Sequence, residues 1–147
     1  MNFIIRKSMA SKVFLDANIL LDLILKREHY EDAKKIFEMV EDNRLKGYIT
    51  SSVLHITGYW VTKAYGIAQA KKLLLNLLAD VRVIDIQHET ALVALHSKVD
   101  DIEDALQYYT AIHHKLEIFI SRDKQLQKDS IPALPVFTPD EFIQKMQ

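Results

Sequence analysis

Short apolar runs alternate along the chain with longer stretches of helical spacing. Val13-Phe14-Leu15 is an uninterrupted apolar run that ends at Asp16, as a strand buried on both faces would. Ala17 to Lys26 is apolar almost all round, which predicts a well-buried helix. Ala33, Ile36, Phe37 and Val40 recur at i, i+3, i+4 and i+7, placing a second helix from about Tyr30 to Arg44. Gly47 reads as its stop, and Tyr48-Ile49-Thr50 as strand two. Ser51 or Ser52 is suited to cap the next helix, with Val53, Ile56, Trp60 and Ala64 on its inward face. Gly66 breaks that helix. Ile67, Ala70, Leu74, Leu77 and Leu78 mark another.

The second half repeats the alternation. Val81 to Ile86 predicts strand three. His88 to Ser97 predicts a short helix with Ala91, Leu92 and Leu95 inward. Between Asp101 and Leu116, the residues Ile102, Ala105, Leu106, Tyr109, Ile112 and Leu116 form one helical stripe. Glu117 to Ile120 predicts strand four, ending at Ser121-Arg122-Asp123. Pro132 and Pro135 bracket a connector, Val136-Phe137 is an edge strand five, and Pro139 opens a terminal helix. Strands alternating with helices imply an α/β fold: three layers, α/β/α, around a mainly parallel sheet of roughly five strands.

Composition narrows this picture. The 147 residues suit one domain, at 10–147, with residues 1–9 as a peripheral arm. A net charge of −1 gives no global attraction for nucleic acid, so such a partner would have to meet a local basic patch. Cysteine is absent, which excludes disulfides and thiolate metal sites. No apolar stretch is long enough to span a bilayer, and no segment reads as a targeting signal. A cytoplasmic location is the expectation.

The candidate chemistry is acidic. Ligands of open parallel sheets bind beyond the carboxyl ends of the strands, at a topological switch point. Asp16 follows strand one and Asp123 follows strand four, while Asp100-Asp101-Ile102-Glu103-Asp104 opens the helix feeding strand four. If strands one and four are neighbours, these acids converge. Carboxylates without cysteine suit a hard cation such as Mg²⁺ or Mn²⁺, which relieves their mutual repulsion and can promote phosphodiester hydrolysis in RNA. In that reading Asp16, Asp104 and Asp123 are catalytic ligands. Asp101 and Glu103 bind directly or through water. A purely structural reading stands beside it. Acids at helix starts favour the macrodipole, Asp101 with Asp104 has capping spacing, and Asp16 and Asp123 are each placed to cap the segment after them.

Val13-Phe14-Leu15-Asp16-Ala17-Asn18-Ile19-Leu20-Leu21-Asp22 resembles the opening of a PIN domain. Glu103-Asp104-Ala105-Leu106-Gln107-Tyr108-Tyr109 resembles the acid-led helix of one bacterial branch of that family. Ile120-Ser121-Arg122-Asp123 and Thr138-Pro139-Asp140-Glu141-Phe142 are similar to its later segments, in family order. The resemblance is to VapC-like toxin ribonucleases. It implies metal ligation by the acids, with Asn18 orienting Asp16, Ser121 in support, an antitoxin partner and a homodimer. It also implies an acid on the helix after strand two, where this chain has Thr57.

Other residues are read more plainly. The six histidines show no ligand spacing, and Trp60, Tyr108 and Tyr109 are expected in core or dimer packing rather than base stacking. Lys34-Lys35 and Lys71-Lys72 belong to solvated helix sides. Arg122, Lys124 and Lys128 are the candidates for holding RNA phosphates. Two further functions compete with the ribonuclease. One is a PIN-like module that binds RNA or protein without cutting, which Thr57 motivates. The other is a haloacid-dehalogenase-like phosphatase, disfavoured because Asn18 stands where that family has its second Asp.

Overall fold

The computed structural model describes residues 10–146, so the expected arm at 1–9 lies outside the described residues. Five strands form one all-parallel sheet: β1 (Ser11–Leu15), β2 (Leu45–Thr50), β3 (Val81–Ile84), β4 (Ile118–Ile120) and β5 (Val136–Phe137), in the order β3-β2-β1-β4-β5. The helices are α1 (Ala17–Ile24), α2 (Tyr30–Glu41), α3 (Ser51–Tyr65), α4 (Ile67–Leu78), α5 (His88–His96), α6 (Ile102–His113), α7 (Lys124–Asp129) and α8 (Pro139–Met146). α1 packs on α2 and α3, α3 on α4, and α8 on α2, while α5 and α6 pack on each other. The architecture is the three-layer α/β/α arrangement expected from the alternation.

The apolar runs earn their central places. Val13, Phe14, Leu15, Ile118 and Ile120 are fully buried, and Phe14 stacks on Phe119 with ring centroids 4.5 Å apart. β1 pairs with β4 through Val13 opposite Ile118 and Leu15 opposite Ile120. The chain therefore builds outward from β1 to β3, then crosses back to β4. That reversal makes the carboxyl ends of β1 and β4 the switch point. The adjacency on which the acidic site depended is present.

Several local expectations are corrected. α2 ends at Glu41, and the left-handed residue after it is Asn43, φ 62°. Gly47 does not stop the helix but sits inside β2, where a Cβ would come within 3.2 Å of Leu15 Cδ1 and 3.4 Å of Val81 Cγ2. Close sheet packing, not backbone freedom, accounts for that glycine. The inward face of α3 is Val53, Thr57 and Val61, rotated from the expected one. On α5 the buried residues are Thr90 and Ala94, while Leu92, Val93 and Leu95 face solvent, as does Ile102 at the start of α6. The six-residue α7 has no apolar periodicity to announce it. No helix among the described residues is long and apolar enough to cross a membrane.

Candidate active site

Each acid is placed by the end of a secondary element. Asp16 follows β1 and caps α1: Oδ1 accepts from the Ala17 N–H at 2.7 Å, and Oδ2 accepts from the Ser121 hydroxyl at 2.7 Å. Ser121 Oγ in turn accepts from the Asp123 N–H at 3.1 Å, so one hydroxyl ties the ends of β1 and β4 together. Asp101 caps α6 by accepting from the Asp104 N–H at 2.9 Å. Asp123 caps α7, its Oδ1 taking the N–H groups of Gln125 and Leu126 at 2.9 and 3.1 Å. The structural readings of Asp16, Asp101 and Asp123 as caps are correct, yet capping takes only one oxygen of each, and all three carboxyl groups line one space.

That space is a cleft of about 670 Å³ lined by Asp16, Asp101, Glu103, Asp104 and Asp123, with Asn18, Arg27 and Arg122. Ala17, Leu21, Ile56 and Trp60 complete the lining. The acids strain one another's ionisation. Burial, more than the opposing carboxylates, drives Asp104 up to about 8; it keeps its proton at neutral pH and donates it to Asp123. Asp123 is held below the ordinary carboxylate range, first by that bond, then by its two backbone donors. Asp16 is raised by burial, against the pull of Ser121 and Ala17, with the Asp123 charge adding to the rise and Arg122 opposing it. Glu103 is raised by burial and by the charges of Asp101 and Asp16.

The other candidates separate clearly. Ser121 stands where support of Asp16 requires. Asn18 lines the cleft, but its carbonyl oxygen accepts from Arg27 Nη2 at 3.3 Å, and the contacts that orient Asp16 come from Ser121 and Ala17. Thr57 does not line the cleft. It is fully buried, its hydroxyl returned to the Val53 carbonyl at 2.7 Å, one turn back on its own helix. α3 instead offers Ile56 and Trp60, and Trp60, expected in packing, is 48% exposed. Arg122 lines the cleft; Lys124 and Lys128 lie on α7 outside it. Gln107, from the acid-led helix, is buried and accepts from the Thr50 hydroxyl, fastening α6 to the end of β2.

Two contributors escaped the sequence reading. Asp22, which merely interrupts an apolar helix in sequence, is buried and bound to Arg27 and Arg122. Arg27 carried no signal beyond its charge, because the arginine that shares its partner, Arg122, is remote in the chain. A lone acid inside an all-apolar helix was the available clue, since such a charge must find a cation.

Three solved structures share this architecture. A VapBC2 complex from Rickettsia felis, bound to a DNA fragment from its promoter, superimposes with a TM-score of 0.68 at 19% identity, covering 86% of this chain and 98% of that one. A toxin–antitoxin complex from Klebsiella pneumoniae gives 0.63 at 25% identity, over 86% and 97% of the two chains. VapC20 of Mycobacterium tuberculosis, a toxin that cleaves the sarcin–ricin loop, gives 0.64 at 14% identity, over 82% and 97%. No curated protein is detectably similar in sequence. The profile of the PIN domain matches residues 12–125, a span that starts in β1 and takes in every acid of the cleft, and by that match the chain belongs to the PIN-domain family.

Proposed function

We propose that the chain is a metal-dependent endoribonuclease that hydrolyses RNA phosphodiester bonds as the toxin of a toxin–antitoxin pair. One observation carries this reading: five carboxylates line one cleft, and one of them is driven up to about 8 by burial and by the others. Perturbed acids gathered at a switch point are what a site for charge chemistry requires.

The donors are all oxygen, the preference of Mg²⁺ and Mn²⁺. Among the described residues no three acids or histidines stand close enough together to grip an ion unaided. That arrangement fits Mg²⁺, which retains several waters and takes one or two carboxylates. Asp16, Asp104 and Asp123 would share the cation, one or two of them bound directly and the rest, with Asp101 and Glu103, through its retained waters. When bound, it supplies a Lewis acid at the phosphate and a more acidic water. Ser121 keeps Asp16 aimed into the cleft, and Asp104 releases its proton as the site fills, so binding tightens as pH rises. Arg122 offsets the acids where an anionic strand approaches.

A cognate antitoxin and a homodimer belong to the same proposal, and a cytoplasmic setting suits it. The fold shared with solved toxin–antitoxin complexes supports a partner. Exposed Tyr59, Ile67 and Leu75 on α3 and α4 offer apolar surface for it or for a second copy. A second reading, an RNA- or protein-binding module that does not cut, is favoured by the apolar contribution of α3, where Ile56 and Trp60 face the cleft and Thr57 does not.

The test is cleavage of a mixed structured-RNA pool with Mg²⁺ or Mn²⁺. Cutting that needs the cation and disappears in Asp16→Asn and Asp104→Asn is the expected result. Intact RNA in the presence of folded, antitoxin-free protein would favour the binding module.

A further inference from the structure

Asp22 sits 1% exposed in a helix that is otherwise apolar over most of its surface, yet two guanidinium groups converge on it. Arg27 Nε donates to its Oδ1 at 3.1 Å, and Arg122 Nη2 lies 3.1 Å from the same oxygen and 2.9 Å from the other. Arg27 comes from the turn after α1, and Arg122 from the end of β4, 100 residues beyond Asp22. A buried carboxylate needs one cation to offset its charge. Here it holds two, so the cluster keeps a unit of positive charge.

The place of that surplus charge is informative. Both arginines line the acidic cleft, and Asn18 fixes the plane of the Arg27 fork through Nη2. A guanidinium has five N–H donors, and Asp22 and Asn18 consume only part of each set. The arginine side chains are 40% and 29% exposed, open enough to be met from solvent. An anionic strand approaching five carboxylates is repelled, so it needs donors fixed beside them. Forked donors in a fixed plane match the paired oxygens of a phosphate.

We propose that Asp22 aims Arg27 and Arg122 as a two-guanidinium clamp for a backbone phosphate of an RNA strand entering the cleft, with Asp22 and Asn18 as positioning residues. This rests on the ribonuclease reading for its ligand. The sequence hides the clamp because β2, β3 and β4 intervene between Arg27 and Arg122.

The test uses the full chain and a labelled single-stranded RNA oligonucleotide, followed by fluorescence anisotropy in Ca²⁺ at several salt concentrations, beside steady-state cleavage in Mn²⁺. Arg27→Gln leaves Asp22 paired with Arg122, so the fold survives, as melting will verify. It is expected to weaken binding about tenfold, the equivalent of one charge-assisted hydrogen bond, to lower the salt slope by about one, and to raise KM more than it lowers kcat. Arg27→Lys restores the slope but not the affinity, since a point charge lacks the fork. Asp22→Asn separates aim from charge: it adds positive charge to the rim, so diffuse attraction predicts tighter binding and loss of aim predicts weaker. Should that variant not fold, the two Arg27 variants decide. Binding and cleavage unchanged in Arg27→Gln, in a protein whose wild type cuts, would overturn the clamp and leave the nuclease standing. Binding that depends on Arg27 in a protein that never cuts would support the clamp and sink the nuclease. No binding by the wild type would overturn both.

Discussion

Two helix N-termini in this protein carry the same kind of sequence and use it in opposite ways. α6 opens with Asp101, Glu103 and Asp104; α8 opens with Asp140 and Glu141 behind Thr138. At α8 every acid is served. Glu141 Oε1 accepts from the Thr138 N–H at 2.9 Å and from Gln127 Nε2 at 2.8 Å, while the Glu141 N–H returns to Thr138 Oγ1 at 3.4 Å, a reciprocal capping box. Asp140 is held low first by the Thr138 hydroxyl, and Glu141 by the Thr138 backbone, with Lys124 adding to both. At α6 only Asp101 caps, and Glu103 and Asp104 are both pushed up, chiefly by burial. At α8 the acids are spent on the fold; at α6 burial leaves Glu103 and Asp104 hindered, a state that a cation in the cleft would relieve, and Asp123 faces them across it although its own ionisation is eased.

The sharpest way to break this contrast is to neutralise one acid in each cluster. Asp104→Asn should lower RNA cleavage by roughly 100-fold or more, the scale of losing one electrostatic element of an active site, because it removes a proposed ligand while its amide can still donate to Asp123. Asp140→Asn should leave cleavage within about twofold. Equal losses in steady-state assays would mean that hindered ionisation does not mark the site.

How much of this contrast was legible in sequence depends on the range of the interactions involved. β1 and β4 were readable because burial on both faces leaves an unbroken apolar run, and their acids were readable because they end those runs. The capping roles of Asp101 and Asp123 were legible too, being local. The face of α3 was not: Val53, Ile56, Thr57, Trp60 and Val61 allow two overlapping stripes, and only tertiary packing, against α1, α4 and the sheet, chooses the one that buries Thr57 and turns Trp60 to the cleft. On α5 the run Ala91-Leu92-Val93-Ala94-Leu95 is apolar on every side, so periodicity could not select Ala94 as the buried member. In the Asp22 cluster the lone acid in an apolar helix was the local clue, but Arg122 lies 100 residues away and nothing local points to it.

Changing pH sharpens the comparison without mutation. Asp104 titrates near 8 in the folded chain against an ordinary value of 3.8, so the folded state binds more protons across that window. Stability of the metal-free protein therefore falls as pH rises from about 4 to 8, and the raised Asp16 adds to the fall. The lowered Asp123, Asp140 and Glu141 act oppositely: their contribution is present above the ordinary carboxylate range and is lost on acidification through their folded values. Melting temperature without divalent cations should peak at about pH 4, where these two opposed windows meet. Added Mn²⁺ should raise it more at about pH 8 than at about pH 6, because ligation displaces the Asp104 proton. A profile flat from about pH 5 to 8, with no cation response, would remove electrostatic frustration as the mark of the α6 cluster.

The smallest effect concerns the satisfied cluster. Thr138→Ala deletes the hydroxyl that accepts from the Glu141 N–H and donates to the acids, at an expected cost of about 1 kcal/mol, the usual value of an N-cap. Phe142 and Ile143 keep α8 anchored through buried apolar contact, so the helix persists and only its first turn frays. The loss should also shrink on acidification: without the hydroxyl, Asp140 and Glu141 lose part of what holds their carboxylates ionised, so wild type and variant converge as those groups protonate. Chemical denaturation at about pH 7 and again at about pH 3 measures both quantities. A Thr138→Ala variant as stable as wild type at neutral pH would show that the eased ionisation of these two acids comes from the Thr138 backbone N–H, Gln127 and Lys124 instead, and that a helix start can be electrostatically at rest without the hydroxyl half of its capping box.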